Sequence, residues 1–356
     1  MKVLIACGGT GGHLFPGLAV AEMLAARRHQ VKLLVSEKTV DQVAVGHPAI
    51  AVRAVAAVGY TGVGGLPRFC VRMARAVGDC LAECRQFEPD AILGMGGFTS
   101  APAVIAAGWR RQGMKFIHES NAVPGKANRW SGRWADQIAV GVPDCAKFFG
   151  HKPVTVTGTP IRQTLRQGKR SGAHERLGLD PQRLTILVMG GSQGARAINA
   201  AVGAALPELG DWKNQIQFVH LCGPHDAAQM RAAYDQNGFR ANVMSFCTAM
   251  EWPYSAADLV IARSGAATLT ELAVFGLPAI LLPYPQAAGN HQWHNAKVFE
   301  RVGAARLAEP VTRLPVELQN LLADASARAG MAQAARTLAV TDAAERIADL
   351  VETHVN

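Results

Sequence analysis

Apolar residues along this chain fall into short uninterrupted runs, each closed by glycine or a polar turn. Such runs fit parallel strands buried on both faces better than half-exposed strands, which alternate. Val3–Ala6 is the first run and Val31–Val35 the second. Between them Pro16 to about Arg28, "PGLAVAEMLAARR", predicts a helix. Strand, glycine loop, helix, strand is the opening unit of a doubly wound sheet. Ala91–Leu93 then runs into "GMGGFTSAP" and a small-residue helix through Ala107. Lys115–His118 and Gln137–Val140 predict two more strands, and Thr155–Arg162 a strand with a proline-containing turn. A polar segment, Gln163–Arg176, interrupts the pattern, which then restarts. Leu184–Met189 is a strand, and "GGSQGARAIN" a second glycine loop opening a helix. Ile216–Leu221, Ala241–Phe246, Leu259–Ala262 and Ala279–Pro283 predict further strands, and the Ala-rich tail from about Val316 is helical.

The pattern predicts an α/β protein with two facing Rossmann-like domains, parallel sheets with helices on both faces. A length of 356 residues agrees, being long for one core. Ligands of such sheets bind outside the carboxyl ends of the strands. Two such ends facing across a cleft would hold two substrates at once, as a transferase needs.

Charge adds a direction. The net charge is +9, and residues 1–155 hold 18 Lys/Arg against 10 Asp/Glu while the rest hold 18 against 17. A one-sided basic excess suits an anionic partner: nucleic acid, acidic lipid or a phosphorylated substrate. The seven cysteines form no CxxC pair and no metal spacing, which fits reduced thiols in a cytosolic protein. Leu4-Ile5-Ala6-Cys7 resembles a lipoprotein cleavage box, but the apolar run before it falls short of the about 7–15 residues of a signal core. No stretch reaches the about 18 apolar residues of a membrane span, so membrane contact is expected to be peripheral.

A glycine loop entering a helix presents backbone N–H groups and the positive end of the helix dipole, which suits phosphate or diphosphate. Neither loop completes GxGxxG: Leu14 stands where the third glycine belongs in the first, and the second fails at Ser192-Gln193. There is no P-loop and no Asp-x-Asp pair. A diphosphate is therefore expected on loop amides, hydroxyls and arginine, with Ser192, Thr268 and Arg162 as candidates and no metal motif; a divalent ion assisting the diphosphate stays open. Glu271, within the first turns of the helix opened by "RSGAATLTE", accepts ribose hydroxyls or offsets the helix dipole. His291, Gln292 and Asn295 suit sugar hydroxyls. His291 and His294 are three apart with no third ligand in view, so a metal there is disfavoured.

Seven motifs occur in one order: "GGTGGHLFPGLAVA", "GMGGFTSAP", "HESNAVPGKANR", "GTPIR", "GGSQGARAIN", "RSGAATLTELAVFGLPAILLP" and "HQWHNA". Together they resemble the MurG family, the UDP-N-acetylglucosamine:undecaprenyl-diphospho-muramoylpentapeptide N-acetylglucosaminyltransferases of peptidoglycan synthesis. The resemblance runs from residue 1 to about residue 300. It implies a B-type glycosyltransferase fold. Residues 1–160 would bind the acceptor and the membrane, 161–337 would bind UDP-GlcNAc, and a helix at about 338–356 would pack back on the first domain. The implied reaction moves GlcNAc to the 4-hydroxyl of MurNAc in lipid I with inversion, giving lipid II and UDP. The implied partners are UDP-GlcNAc, lipid I, the anionic inner-membrane surface at its cytoplasmic face and other cell-wall synthesis proteins, and no nucleic acid.

Carried over residue by residue, the resemblance sets Ser192, Ala266, Ala267, Thr268, Leu269 and Thr270 at the donor loop, with Arg162 near the nucleotide. The backbone at Cys247 meets the uracil, Glu271 the ribose, and Ala266, His291 and Gln292 the GlcNAc. Thr10, Gly11, Gly12 and Asn121 line the cleft toward the donor. Gly9, Thr10, His13, Gly96, Gly97 and Asn121 line it toward the acceptor. His13 is the favoured general base, with a ligand role to the acceptor phosphate or a base at Glu119 as alternatives. Thr159, Phe98, Ala101 and Ala267 depart from the family's usual residues, and the loop "VGYTGVGGLPR" has Arg68 alone among basic residues. For the membrane, Leu66–Arg85 reads as an amphipathic helix with Phe69, Val77 and Leu81 near Arg68, Arg72 and Arg75, joined by Trp109, Arg110 and Arg111. Competing readings are a B-type transferase with another lipid acceptor, a UDP-GlcNAc epimerase, and a non-catalytic anion-binding module.

Overall fold

A computed structural model describes residues 1–37, 50–56, 66–167, 172–191 and 196–355. The chain divides into two compact units, Met1–Arg162 with Val340–Asn356, and Gln163–Ala339.

Among the described residues the first unit holds a seven-stranded sheet. Its strands are β1 (Lys2–Ala6), β2 (Gln30–Ser36), β3 (Ala51–Val55), β4 (Ala91–Gly94), β5 (Met114–Glu119), β6 (Gln137–Val140) and β7 (Val154–Val156), in the order β3-β2-β1-β4-β5-β6-β7. Every pairing is parallel. The chain winds outward from β1 in one direction and from β4 in the other, so the topological switch point lies between β1 and β4. Burial explains the apolar runs: Val3, Leu4, Ile5 and Ala6 are all fully buried, alternate side chains entering the cores on opposite faces. One face is covered by helix Gly11–Ala26 together with Ala343–Val355, whose Ala344, Ile347, Ala348 and Val351 enter the core. Ion pairs from Arg27 to Asp349 and Glu352, and from His29 to Glu352, fasten that last helix. Helices Leu66–Phe87 and Gly97–Arg110 cover the other face.

The first helix begins five residues earlier than Pro16 implied, at Gly11. Pro16 lies inside the helix, where it withholds the N–H that Gly12 C=O would otherwise accept. Gly17 of the same helix lies against the strand end: a Cβ there would meet Cys7 Cβ at 2.6 Å. Within Leu66–Phe87, Val77 is buried and Leu81 packs partly buried on the same core, so two residues of the expected apolar face belong to the interior.

Among the described residues the second unit repeats the plan with six strands, β8 (Leu184–Met189), β9 (Ile216–Leu221), β10 (Ala241–Met244), β11 (Leu259–Ala262), β12 (Ala279–Leu281) and β13 (Ala305–Leu307). Their order is β10-β9-β8-β11-β12-β13, again parallel throughout, with the switch point between β8 and β11.

Candidate functional site

At the first switch point, the loops after β1 and β4 meet. Cys7 N donates to Leu34 O, and the chain turns through Gly8 and Gly9 at positive φ into the helix. Thr10 caps that helix through its carbonyl, which accepts from the amides of His13 and Leu14. Its side chain makes no capping bond, and Gly11 and Gly12 occupy the first helical positions, whose amides have no intrahelical acceptor.

His13 stands half-buried one step into the helix, with Nδ1 3.0 Å from Met95 O. A carbonyl can only accept, so Nδ1 carries the proton and the lone pair of the neutral ring lies on Nε2. Gly96 and Gly97, at φ 94° and 74°, bring their backbone against the imidazole. A Cβ at Gly96 would lie 2.9 Å from His13 Cε1 and Nδ1, and one at Gly97 3.0 Å from Cδ2. Only glycine combines this φ with this closeness.

Glu119 is committed elsewhere. Its Oε1 accepts from Asn121 N and Nδ2 at 2.9 and 2.8 Å, and its Oε2 from Gly125 N and Asn128 Nδ2, each at 3.0 Å. Buried under these four donors, it orders the loop after β5 and holds Asn121 in place. Its neighbour His118 is buried, donates through Nε2 to Gly158 O, and is pushed below the ordinary histidine range by loss of solvent. Arg162 lies in the first unit, its guanidinium 4.4 Å from the Phe15 ring centre.

The second unit carries the other residues, on the loops after β8, β10, β11 and β12. Ser192 of the loop after β8 lies outside the described residues. After β11, Arg263 and Ser264 lead to Gly265, the cap of helix Ala266–Phe275. Ala266, Ala267 and Thr268 fill its first turn, where amides have no intrahelical acceptor. Leu269 and Thr270 belong to the helix itself. Leu269 is buried and its amide donates to Gly265 O, while Thr270 Oγ1 donates to Ala266 O. Glu271, one turn on, accepts from Tyr254 Oη at 2.6 Å. Gln292 Oε1 accepts from Tyr284 N at 2.9 Å, which turns its amide nitrogen away from that contact as a donor. His291 Nδ1 donates to Ala288 O at 2.6 Å, leaving the lone pair of the neutral ring on Nε2. Cys247 is half-buried after β10, beside Phe246, which is 60% exposed.

Sequence reasoning missed Arg263, Ser264 and Tyr254 among the residues that hold these groups, and it read Asn295 for sugar hydroxyls, whereas Asn295 is buried and donates to Ser264 O. Arg263 donates to Leu282 O and Pro283 O and ties the loops after β11 and β12 together. Ser264 Oγ donates to Gln292 O, and Asn295 Nδ2 to Ser264 O. Asn295 and Arg263 stand inside motifs already noted; Tyr254 carries no local signal. Among the described residues no three His, Cys, Asp or Glu side chains gather as a metal site requires, and no helix is long and apolar enough to cross a membrane.

Known proteins share this arrangement. Residues 3–140 match the glycosyltransferase family 28 N-terminal domain, and residues 185–349 the C-terminal domain of the same family. The chain is 36% identical to the UDP-N-acetylglucosamine–N-acetylmuramyl-(pentapeptide) pyrophosphoryl-undecaprenol N-acetylglucosamine transferase of Citrifermentans bemidjiense, over 98% of each chain. It is 39% identical to the enzyme of that name from Xanthomonas axonopodis pv. citri, over 98% of this chain and 81% of that one. The crystal structure of Acinetobacter baumannii MurG superposes with a TM-score of 0.75 at 28% identity, over 99% of both chains. A UDP-GlcNAc 2-epimerase from Neisseria meningitidis, bound to UDP-GlcNAc, shares the fold alone, with a TM-score of 0.72 at 14% identity over 99% of this chain and all of that one.

Proposed function

The chain belongs to the MurG family within glycosyltransferase family 28, and on that premise we propose how its residues divide the work. The enzyme transfers GlcNAc from UDP-GlcNAc to the MurNAc 4-hydroxyl of lipid I, with inversion, giving lipid II and UDP for peptidoglycan synthesis. One observation carries this reading: the relationship spans both compact units, so donor and acceptor machinery are inherited together.

His13 is the general base. Its Nδ1–H bond to Met95 O persists whether the ring is neutral or protonated, so the proton of the attacking hydroxyl is taken at Nε2 alone. Gly9, Thr10, Gly96, Gly97 and Asn121 serve the acceptor, Gly96 and Gly97 by fixing the imidazole. Gly11 and Gly12 offer first-turn amides, and with Thr10 and Asn121 they also meet the donor. In the second unit the first-turn amides of Ala266, Ala267 and Thr268, with Ser192, stabilise charge that develops on the departing diphosphate. Arg162 adds a cation for the nucleotide. Glu271, steadied by Tyr254, takes the ribose hydroxyls. Gln292 and His291 reach the GlcNAc, and the Cys247 backbone meets the uracil, with Phe246 offering an aromatic face beside it. Leu269 and Thr270 act through the helix they build.

The lipid-linked acceptor calls for a membrane surface. Val71 and Trp109 are 69% and 65% exposed, and Arg68, Arg75, Arg110 and Arg111 are exposed near them in sequence. We assign them to peripheral contact with the anionic cytoplasmic face of the inner membrane, where other cell-wall synthesis proteins would be neighbours.

The test is incubation with labelled UDP-GlcNAc, with and without a lipid I analogue. Label should enter lipid only when acceptor is present. Turnover without acceptor would instead support the epimerase chemistry of the fold's other members.

A further inference from the structure

The carboxyl ends of β8, β11 and β12 carry the donor loops, and their amino ends carry a recess with no part in that scheme. Pro181–Arg183 lead into β8, Ala257 and Asp258 into β11, and Gly276–Pro278 into β12. With helix Ala325–Thr337 they bound an open-mouthed cavity of about 620 Å³, a volume typical of small-molecule sites.

The lining is chemically lopsided. Arg183, Arg328 and Arg336 face it against one lining carboxylate, Asp258, which already accepts from Thr185 N at 2.8 Å, while Arg183 Nε also pairs with Asp180, outside the lining, at 3.4 Å. Two of the guanidinium groups are held in place: Arg328 Nη1 donates to Leu321 O and Leu322 O, and Arg183 Nη1 to Lys213 O. Arg336 lies so close over Gly276 that a Cβ there would stand 2.5 Å from its Nε. Ser255 also lines the cavity, and its buried Oγ has no hydrogen-bond partner among the described residues. Tyr254, Phe275, Leu277 and Pro278 supply an apolar wall. Held guanidinium forks match phosphate oxygens, and the wall suits a compact organic body.

We propose that this cavity, with Arg183, Arg328, Arg336 and Ser255 around an apolar wall, binds a small organic phosphomonoester and thereby tunes donor affinity. The route to the donor is short. Tyr254 lines the cavity and donates to Glu271, while Phe275 lines it from the helix that bears Glu271 and packs on Tyr254 with ring centres 5.1 Å apart. A ligand that shifts the Tyr254 ring changes how Glu271 is held. The tuning rests on the reading of Glu271 as the ribose ligand; binding in the cavity does not.

Phenyl phosphate is the probe, titrated calorimetrically into the full chain saturated with UDP, with phenol as the uncharged control. Saturable binding of phenyl phosphate but not phenol is expected, and Arg336→Gln should weaken it by about tenfold, the effect of one charge-assisted bond. Ala332→Trp, which fills the cavity without removing charge, should abolish it, with melting curves confirming that both variants fold. Reciprocally, the probe should shift UDP affinity by about threefold or more in the wild type and not in Tyr254→Phe. Binding that UDP displaces, or that survives both cavity variants, overturns the site. Cavity binding with unaltered UDP affinity overturns the tuning. A Glu271→Ala variant with unchanged UDP affinity sinks the ribose assignment instead, and leaves the cavity result standing.

Discussion

Two residues should show opposite kinetic signatures. As the proposed general base, His13 would matter only when the acceptor hydroxyl loses its proton, so His13→Ala should lower kcat by about 10²–10⁴-fold and leave KM for UDP-GlcNAc nearly unchanged. Steady-state rates with a lipid I analogue check this, and a near-normal kcat removes His13 as the base. Gly96→Ala should reproduce the effect in milder form. It introduces a Cβ 2.9 Å from the imidazole at a φ that L-residues disfavour, so the ring must move. As the proposed ribose ligand, Glu271 would act on the ground state and transition state alike. Glu271→Ala should raise KM for UDP-GlcNAc with a smaller change in kcat, and Tyr254→Phe should do the same by about three- to tenfold, having lost one bond to a carboxylate. Substrate-saturation curves for the two variants separate these expectations from a loss of chemistry.

At the scale of elements, close contact between helix and strand can be tested at Gly17. Gly17→Ala places a Cβ 2.6 Å from Cys7 Cβ and 2.7 Å from its Sγ, both at the end of a buried strand. Overpacking there should cost about 1–3 kcal/mol in urea unfolding, and an unchanged midpoint would show that the helix can slide away freely. The same elements show what was legible beforehand. Gln137–Val140, Leu184–Met189, Ile216–Leu221 and Leu259–Ala262 have the bounds their runs announce, because strands buried on both faces are apolar at most positions, and the buried polar exceptions Thr185, Gln217 and His220 are hydrogen-bonded within the fold. The two unannounced strands, β3 and β13, are sheet edges with Arg53 and Arg306 in their middles, and no apolar run marks them. The early start of the first helix was hidden because glycine and proline, normally punctuation, both lie inside it. Site residues followed the same rule. His13, Glu271 and Gln292 lie in or beside glycine loops and motifs, so they could be proposed from local sequence. Tyr254, which holds Glu271, and the Met95 carbonyl, which sets the His13 tautomer, act from other elements and have no signature of their own.

At the scale of the whole molecule, pH and salt are the levers. His220 lies buried between Asn199 and Tyr234, accepting from Tyr234 Oη at Nδ1 and donating to Asn199 Oδ1 from Nε2, and burial pushes it down to about 4. The unfolded chain therefore takes up a proton below about pH 6.5 that the folded chain refuses, so stability is full above that pH and falls toward pH 4, by about 3 kcal/mol in all. Glu352 works in the same direction at lower pH, since its bonds to His29 and Arg27 hold its carboxylate below the usual range and are lost on protonation. Urea midpoints from pH 7.5 to 5 should fall in the wild type and fall less in His220→Gln; an equal slope in both would clear His220. Salt addresses the membrane. The excess charge is concentrated in residues 1–155, while Val77 and Leu81 are engaged in the core. Val71 and Trp109 are the most exposed large apolar side chains described in the first unit, and on the proposed reading they make the shallow apolar contacts while exposed arginines supply the attraction. Attraction of that kind decays over a Debye length of about 10 Å at 0.1 M salt. Cosedimentation with anionic vesicles should be strong at low salt, weaken steeply as salt rises, and vanish for neutral vesicles. Trp109→Ser should lower binding at every salt concentration without changing its slope, because it removes an apolar contact. Arg110→Gln with Arg111→Gln should flatten the slope, because it removes charge. No binding at low salt, or binding indifferent to both variants, would rule this face out.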